Sequence, residues 1–364
     1  MKKIFLAAFI AIVLCLTGCG TLKDKDIKNS FIKDVEGLKA YYMEGTLKLT
    51  NNDDTYEYNV EVNYKKGNKY KVSLKNKSND YEQIILKNDD GVYVITPSLN
   101  KSFKFQSDWP NNNSQSYLLD SVANDLKNDS AYKFTQKDKS YVFTTKTNYP
   151  NNPKYVKQHI TLDKNGKLQK VEVQDENGMT YIEFIPKTID SRAKFNDSQF
   201  SLEEVTKNFN SNESEKQANN EKAEEANSDK ESSNTDDKVN KEDNANATSK
   251  IDESIFPLYL PTNTTLSDKE VISIDGGERV IMTFSGDNPF VLVEETIKPS
   301  TNLEIIPTYG EPFMLVDTVG SLTDSSYTWT SGGVEYYIVS DQMNQNELLE
   351  VAKSINVVSA INQK

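Results

Sequence analysis

The chain has 364 residues, 10% of them aromatic, and a formal net charge of −13 at pH 7. A length of this order favours two domains over one. The acidic charge disfavours nucleic acid as a partner and disfavours broad electrostatic docking of the chain on anionic lipid. The two cysteines, Cys15 and Cys19, both lie near the start, so the rest of the chain carries no disulfide framework.

The first 18 residues have the layout of a secretory signal. Lys2 and Lys3 precede an apolar run from Ile4 to Leu16. The run is about a dozen residues long, shorter than the roughly 20 residues that a permanent membrane-spanning helix needs. We therefore predict that residues 1–18 are a signal peptide.

The end of this signal resembles the lipobox of bacterial lipoproteins. Leu16, Thr17, Gly18 and Cys19 give an aliphatic residue, a small residue, Gly and Cys in order. The resemblance implies cleavage between Gly18 and Cys19, attachment of acyl chains such as palmitate to Cys19, and residence on the extracytoplasmic face of the cell membrane. Residues 19–25 would then be a short tether. An ordinary cleaved signal and an uncleaved anchor are the alternatives.

Residues 26–203 are predicted to form one domain that is mostly β-structure. Apolar residues recur at helical spacing from Ile27 to Leu38, and a second helix is predicted from Ser114 to Lys127. Between and after them, period-two alternation predicts strands, many of which are joined by turns such as 88–91 and 165–166. Such strands form a curved antiparallel sheet with its helices on the concave side.

Residues 204–250 are predicted to be a disordered polar linker. Residues 251–364 are predicted to be a small α+β domain. Large apolar residues nearly vanish from the linker, so it cannot offset its chain entropy by burial. Strands are predicted around Val280–Phe284, Tyr327–Thr330 and Val334–Val339, followed by a helix that starts near Asn344. A flexible linker would let this domain range away from the first.

The first domain resembles the LolA/RseB-like lipoproteins, and within them the GerS-related spore-germination lipoproteins of Gram-positive bacteria. The likeness is carried by an opening helix ending in Tyr41–Leu47, by the block Tyr81–Trp109, and by Ser107–Pro110. Residues Tyr327–Trp329, Gly333–Ser340 and Glu347–Ile355 are similar to a C-terminal module of sporulation-associated membrane proteins. The resemblance implies an open half-barrel of about eleven antiparallel strands with helices over its concave face.

The sequence offers no catalytic, cofactor-binding or metal-binding residues. His159 is the only histidine, lacks a cysteine partner in the exported chain, and is interpreted as a surface or sheet-packing residue. The stretch Asp163–Gly166 has too few ligand positions for a calcium loop and is interpreted as a turn. Tyrosines at 56, 58, 64, 70, 81 and 93 are expected either to line a ligand hollow or to pack in the sheet, with packing favoured.

The expected function is that of a non-enzymatic, membrane-anchored binding or regulatory protein of the cell envelope. The family resemblance implies an envelope protein as partner, a cell-wall amidase among the candidates, in sporulation or germination. The alternative is a carrier of acyl chains or lipoproteins. An enzyme acting on the cell wall is a third hypothesis.

Overall fold

The computed structural model describes residues 24–51, 54–207, 209, 251, 254–315 and 317–362, with side chains described up to residue 355 in the last helix. The predicted signal, the lipobox at Leu16–Cys19 and most of the predicted linker lie outside these residues. We call residues 24–209 the N-terminal part and residues 251–362 the C-terminal part.

Over its described residues up to 207, the N-terminal part contains three α-helices and eleven strands. The helices are α1 (Asp24–Glu36), α2 (Leu119–Asn128) and the short α3 (Leu202–Thr206). The strands are β1 (Ala40–Asn51), β2 (Asp54–Lys65), β3 (Lys69–Asn76), β4 (Glu82–Asn88), β5 (Gly91–Thr96), β6 (Lys101–Phe105), β7 (Lys133–Lys137), β8 (Ser140–Lys146), β9 (Lys157–Asp163), β10 (Leu168–Gln174) and β11 (Thr180–Asp190).

The C-terminal part contains eight strands and one helix among its described residues. They are β12 (Thr264–Ile274), β13 (Gly277–Gly286), β14 (Phe290–Thr296), β15 (Glu304–Thr308), β16 (Glu311–Met314), β17 (Val319–Leu322), β18 (Ser326–Ser331), β19 (Val334–Val339) and α4 (Gln345–Asn362).

All eleven N-terminal strands belong to one open sheet. Its order is β15-β6-β5-β4-β3-β2-β1-β11-β10-β9-β8-β7, and the eleven N-terminal strands pair antiparallel. Both ends of this order are free edges, so the sheet does not close into a barrel. The predicted mainly β fold, with an open antiparallel sheet, is confirmed.

Helices α1 and α2 pack on one face of this sheet. Ile27 and Phe31 of α1 and Val122 and Leu126 of α2 share a hydrophobic core with strand residues such as Val62. Burial of the apolar side of each helix supplies most of its stability, because short helices are marginal in water. The helices therefore lie on the concave face, as the sequence indicated.

The C-terminal part forms a second, seven-stranded sheet of order β12-β13-β14-β19-β18-β17-β16. Its core packs Phe284 and Trp329 against Leu348 and Val351 of α4. The α4 helix begins as predicted, with the Glu347 N–H donating to Asn344 Oδ1 at 3.0 Å.

One strand links the two parts of the chain. Strand β15 comes from the C-terminal part but pairs in parallel with β6 at the edge of the first sheet, with Glu304 opposite Lys101. Asn100 Nδ2 donates to the Ser300 carbonyl at 3.1 Å beside this joint. The structure thus differs from the expectation that the C-terminal part ranges freely. Linker composition carries no information about such long-range pairing.

Several predicted boundaries were wrong. Residues Tyr41–Leu47 belong to β1 and not to the opening helix, which ends at Glu36 before Gly37. Helix α2 begins at Leu119 and not at Ser114. The reason is that Ser114 is bonded to Asn148: the Ser114 N–H donates to the Asn148 carbonyl, and the Asn148 N–H donates to Ser114 Oγ. Helix α3 covers the first residues of the predicted linker, where Val205 packs on the convex side of the sheet.

Candidate ligand-binding cavity

A cavity of about 440 Å³ lies at the junction of the two parts. This volume falls within the range of small-molecule sites. Its N-terminal walls come from the sheet and from two loops, residues 113–117 and 149–155. Its remaining wall comes from β16, the residues after it, and α4. The cavity therefore exists only while the two parts are packed together.

The walls contain a group of apolar side chains. Leu47 and Ile182 come from β1 and β11, Ile85 comes from β4, and Leu315 and Val319 come from the C-terminal part. Strand alternation explains the first three, because every second side chain of a strand points to the concave face.

The loops give the cavity a polar and aromatic lining. Asn51, Asn113, Gln115, Asn151 and Asn152 contribute side-chain amides. Four tyrosines join them, and three of these are in ring contact. The Tyr149 and Tyr155 rings meet edge-to-face with 5.2 Å between centroids, and the Tyr155 and Tyr181 rings are tilted with 5.6 Å between centroids. The fourth is Tyr117.

A charged group connects the two parts at this cavity. Lys154 Nζ lies 3.2 Å from Glu350 Oε2, and Lys353 Nζ lies 2.9 Å from Glu350 Oε1. Partial burial opposes ionisation of Glu350, but the two lysines outweigh it and hold the pKa of that carboxyl below its ordinary value. All three residues line the cavity, so its rim is charged while its deeper walls are apolar.

A buried carboxylate accepts hydrogen bonds from aromatic residues of the concave face. Asp120 of α2 accepts hydrogen bonds from the hydroxyls of Tyr41 at 3.1 Å and Tyr70 at 2.5 Å. Burial raises the pKa of Asp120 although both hydroxyls favour its charged form. Tyr70 packs edge-on against Trp109, a wall residue of the cavity, with 5.7 Å between centroids. Asp120 thus fixes α2 and the cavity wall in place.

The tyrosines singled out from the sequence pack in the structure, as favoured, and none of the six lines this cavity. Tyr58 and Tyr70 are buried in the concave core, and Tyr93 is buried on the convex side. Tyr81 donates to or accepts from Thr330 at 3.3 Å, between the two parts. The cavity tyrosines were missed because they lie on loops or at strand ends.

His159 lies within the first sheet, between two neighbouring strands. It lies on β9 opposite Glu172 of β10 and Thr144 of β8. Partial burial lowers its pKa. Asp163 accepts the N–H groups of Asn165 and Lys167, which is the hydrogen bonding of a tight turn, as interpreted from the sequence. Within the described ranges, no group of three or more His, Cys, Asp or Glu side chains is placed to hold a metal ion.

No family model matches the chain. The sporulation protein YdcC of Bacillus subtilis (strain 168) is 35% identical to it over 363 residues, covering 98% of both chains. The chain belongs to the YdcC family.

Solved structures similar to this YdcC-family chain include the groups named by the sequence resemblance. MucB is 12% identical and covers 93% of this chain and 98% of its own, with a TM-score of 0.31. A LolA superfamily protein from Nitrosomonas europaea is 10% identical over 48% of this chain and 98% of its own, with a TM-score of 0.29. A complex of the CwlD amidase with the GerS lipoprotein from Clostridioides difficile matches at 19% identity over 49% of this chain and 97% of the matched chain, with a TM-score of 0.24.

Among the residues whose placement is described, no helix is both long and apolar enough to cross a bilayer. The lipobox prediction lies outside these residues and stays a prediction.

Proposed function

We propose that this chain is a non-enzymatic, extracytoplasmic binding protein of sporulating cells, held at the membrane by acyl chains on Cys19. Its partner is an envelope protein, with a cell-wall amidase as the class to test first. The observation that carries the proposal is membership of a family whose curated relative is a sporulation protein, matched over 98% of its length. The signal and lipobox pattern before Cys19 supports the location.

The surface of the C-terminal part supports binding to another protein. Between the end of the linker and β12, Phe256, Leu258, Tyr259 and Leu260 are each more than a third exposed, and Leu258 reaches 69%. Contiguous exposed apolar side chains of this kind are uncommon on monomers and typical of contact surfaces. We call these four residues the apolar strip.

The test is photocrosslinking of the full chain in membranes of sporulating cells. A photoreactive residue replaces Leu258, and in a matched control it replaces the exposed Gln136 of β7. We expect an adduct with a cell-wall amidase, identified by mass spectrometry, from position 258 alone. Purified amidase should then bind the full chain, and Leu258→Asp should abolish binding. Absence of amidase binding in both experiments would reject the proposed partner.

The cavity supports a second candidate function, that of an acyl-chain carrier. Its volume and the apolar group around Leu47, Ile85 and Leu315 suit a hydrocarbon chain. Native mass spectrometry of the full chain tests this candidate. A mass increment that corresponds to a bound fatty acid would support it, and a delipidated protein that takes up no fluorescent acyl probe would refute it.

A further inference from the structure

Three cavity tyrosines have hydroxyls without a hydrogen-bond partner in the described part of the chain. They are Tyr117, Tyr155 and Tyr181. Tyr117 is only 6% exposed, and burial alone raises its pKa, with no contribution from a hydrogen bond. None of the three hydroxyls is among the fully enclosed unpaired atoms of the described residues, so each can be reached from the cavity. A ligand in the cavity is the natural partner for these hydroxyls.

The three hydroxyls favour a polar ligand over a hydrocarbon chain. A hydrocarbon chain offers no acceptor along its length, so it would displace water from the three hydroxyls and leave them unpaired. A sugar ring presents apolar C–H faces together with hydroxyl groups around its edge. Acetamido groups add a carbonyl acceptor and an N–H donor.

We propose that the cavity binds an N-acetylated saccharide, with its ring faces against Tyr149, Tyr155 and Tyr181 and its polar groups paired with the hydroxyls of Tyr117 and Tyr155. This inference is independent of the protein partner proposed above, and it competes with the acyl-chain candidate for the same cavity.

The test is isothermal titration calorimetry of the full chain with two probes, the trimer of N-acetylglucosamine and palmitate. We expect the trimer to bind, and Tyr117→Phe and Tyr155→Phe each to weaken its affinity about tenfold, the effect of one lost hydrogen bond. Each variant removes only a hydroxyl that makes no hydrogen bond to the protein, so thermal unfolding should be unchanged. Tyr141→Phe is the matched control, because Tyr141 lies on β8 and outside the cavity lining.

A wild-type protein that gives no heat with the trimer would overturn the proposal, whether or not palmitate binds. Trimer binding that is equally strong in the Tyr117→Phe and Tyr155→Phe variants would also overturn it, because the site would then lie elsewhere. Neither result bears on the crosslinking experiment with the amidase, so the two proposals fail separately.

Discussion

The side chain of Gln83 pairs with the backbone of Val319 much as a neighbouring strand would. Gln83 Nε2 donates to the Val319 carbonyl at 3.1 Å, and the Val319 N–H donates to Gln83 Oε1 at 2.6 Å. Thr318 Oγ1 donates to the same oxygen at 3.2 Å. Gln83 belongs to β4 of the first sheet and Val319 to β17 of the second, so one buried side chain joins the two sheets.

We expect Gln83→Ala to lower the free energy of unfolding by about 2–4 kcal/mol, because it leaves the Val319 N–H and carbonyl buried without partners. Urea denaturation followed by tryptophan fluorescence measures this loss, since the signal comes from Trp109 in one part and Trp329 in the other. The control is Gln136→Ala, an exposed position on β7 that should change stability by less than about 0.5 kcal/mol. Equal effects of the two substitutions would contradict the role of Gln83.

The hydrogen bond from Tyr70 to Asp120 gives a second prediction. Tyr70→Phe should cost about 1.5–3 kcal/mol of stability, because the bond joins a hydroxyl to a buried carboxylate. Tyr64→Phe is a close control: Tyr64 stacks between Tyr41 and Tyr70 in the same aromatic group, but its hydroxyl does not bond to Asp120. Chemical denaturation of both variants checks the difference. If Tyr64→Phe is as costly as Tyr70→Phe, packing and not the hydrogen bond explains the loss.

Glu294 predicts a pH dependence of stability. Its side chain is 1% exposed, Oε1 accepts the Ile255 N–H at 2.9 Å, and Oε2 has no partner among the described residues. Burial raises its pKa from 4.5 to about 7. Between these values the folded protein holds a proton that the unfolded chain has released. The corresponding stability is therefore complete below about pH 4.5 and is lost as the pH rises to about 7.

We therefore expect Glu294→Gln to be more stable than the wild type at pH 8, by on the order of 3 kcal/mol, and nearly equal to it at pH 5. Glutamine keeps the oxygen that accepts from Ile255 and removes the titration. Glu278→Gln is the matched control, because Glu278 accepts the Ile251 N–H at 3.0 Å in the same way but lies nearer to solvent. The measurement is the unfolding free energy of the wild type and both variants at the two pH values. A Glu294→Gln variant that is less stable at both would show that the buried charge is compensated.

The regular hairpins of both parts could be predicted from the sequence because their residues alternate strictly and their turns contain Gly. The strand β12 could not, because its residues are exposed on both faces at the sheet edge and no apolar alternation marks it. The strand β15 is short, contains Pro307, and gains its place only by pairing with a distant segment. The same limit applies to the cavity, because Tyr117 and Tyr155 meet Glu350 only after the two parts pack together.

The proposed function requires that this YdcC-family chain be a binding protein held at the membrane by Cys19. The most direct test is fractionation of sporulating cells that express the full wild-type chain or Cys19→Ala, combined with palmitate labelling. The wild-type chain should carry label and leave the membrane only with detergent. The Cys19→Ala chain should lack label and no longer fractionate as a lipoprotein. An unlabelled wild-type chain, or a Cys19→Ala chain that still takes up palmitate and fractionates like the wild type, would show that Cys19 is not the membrane anchor.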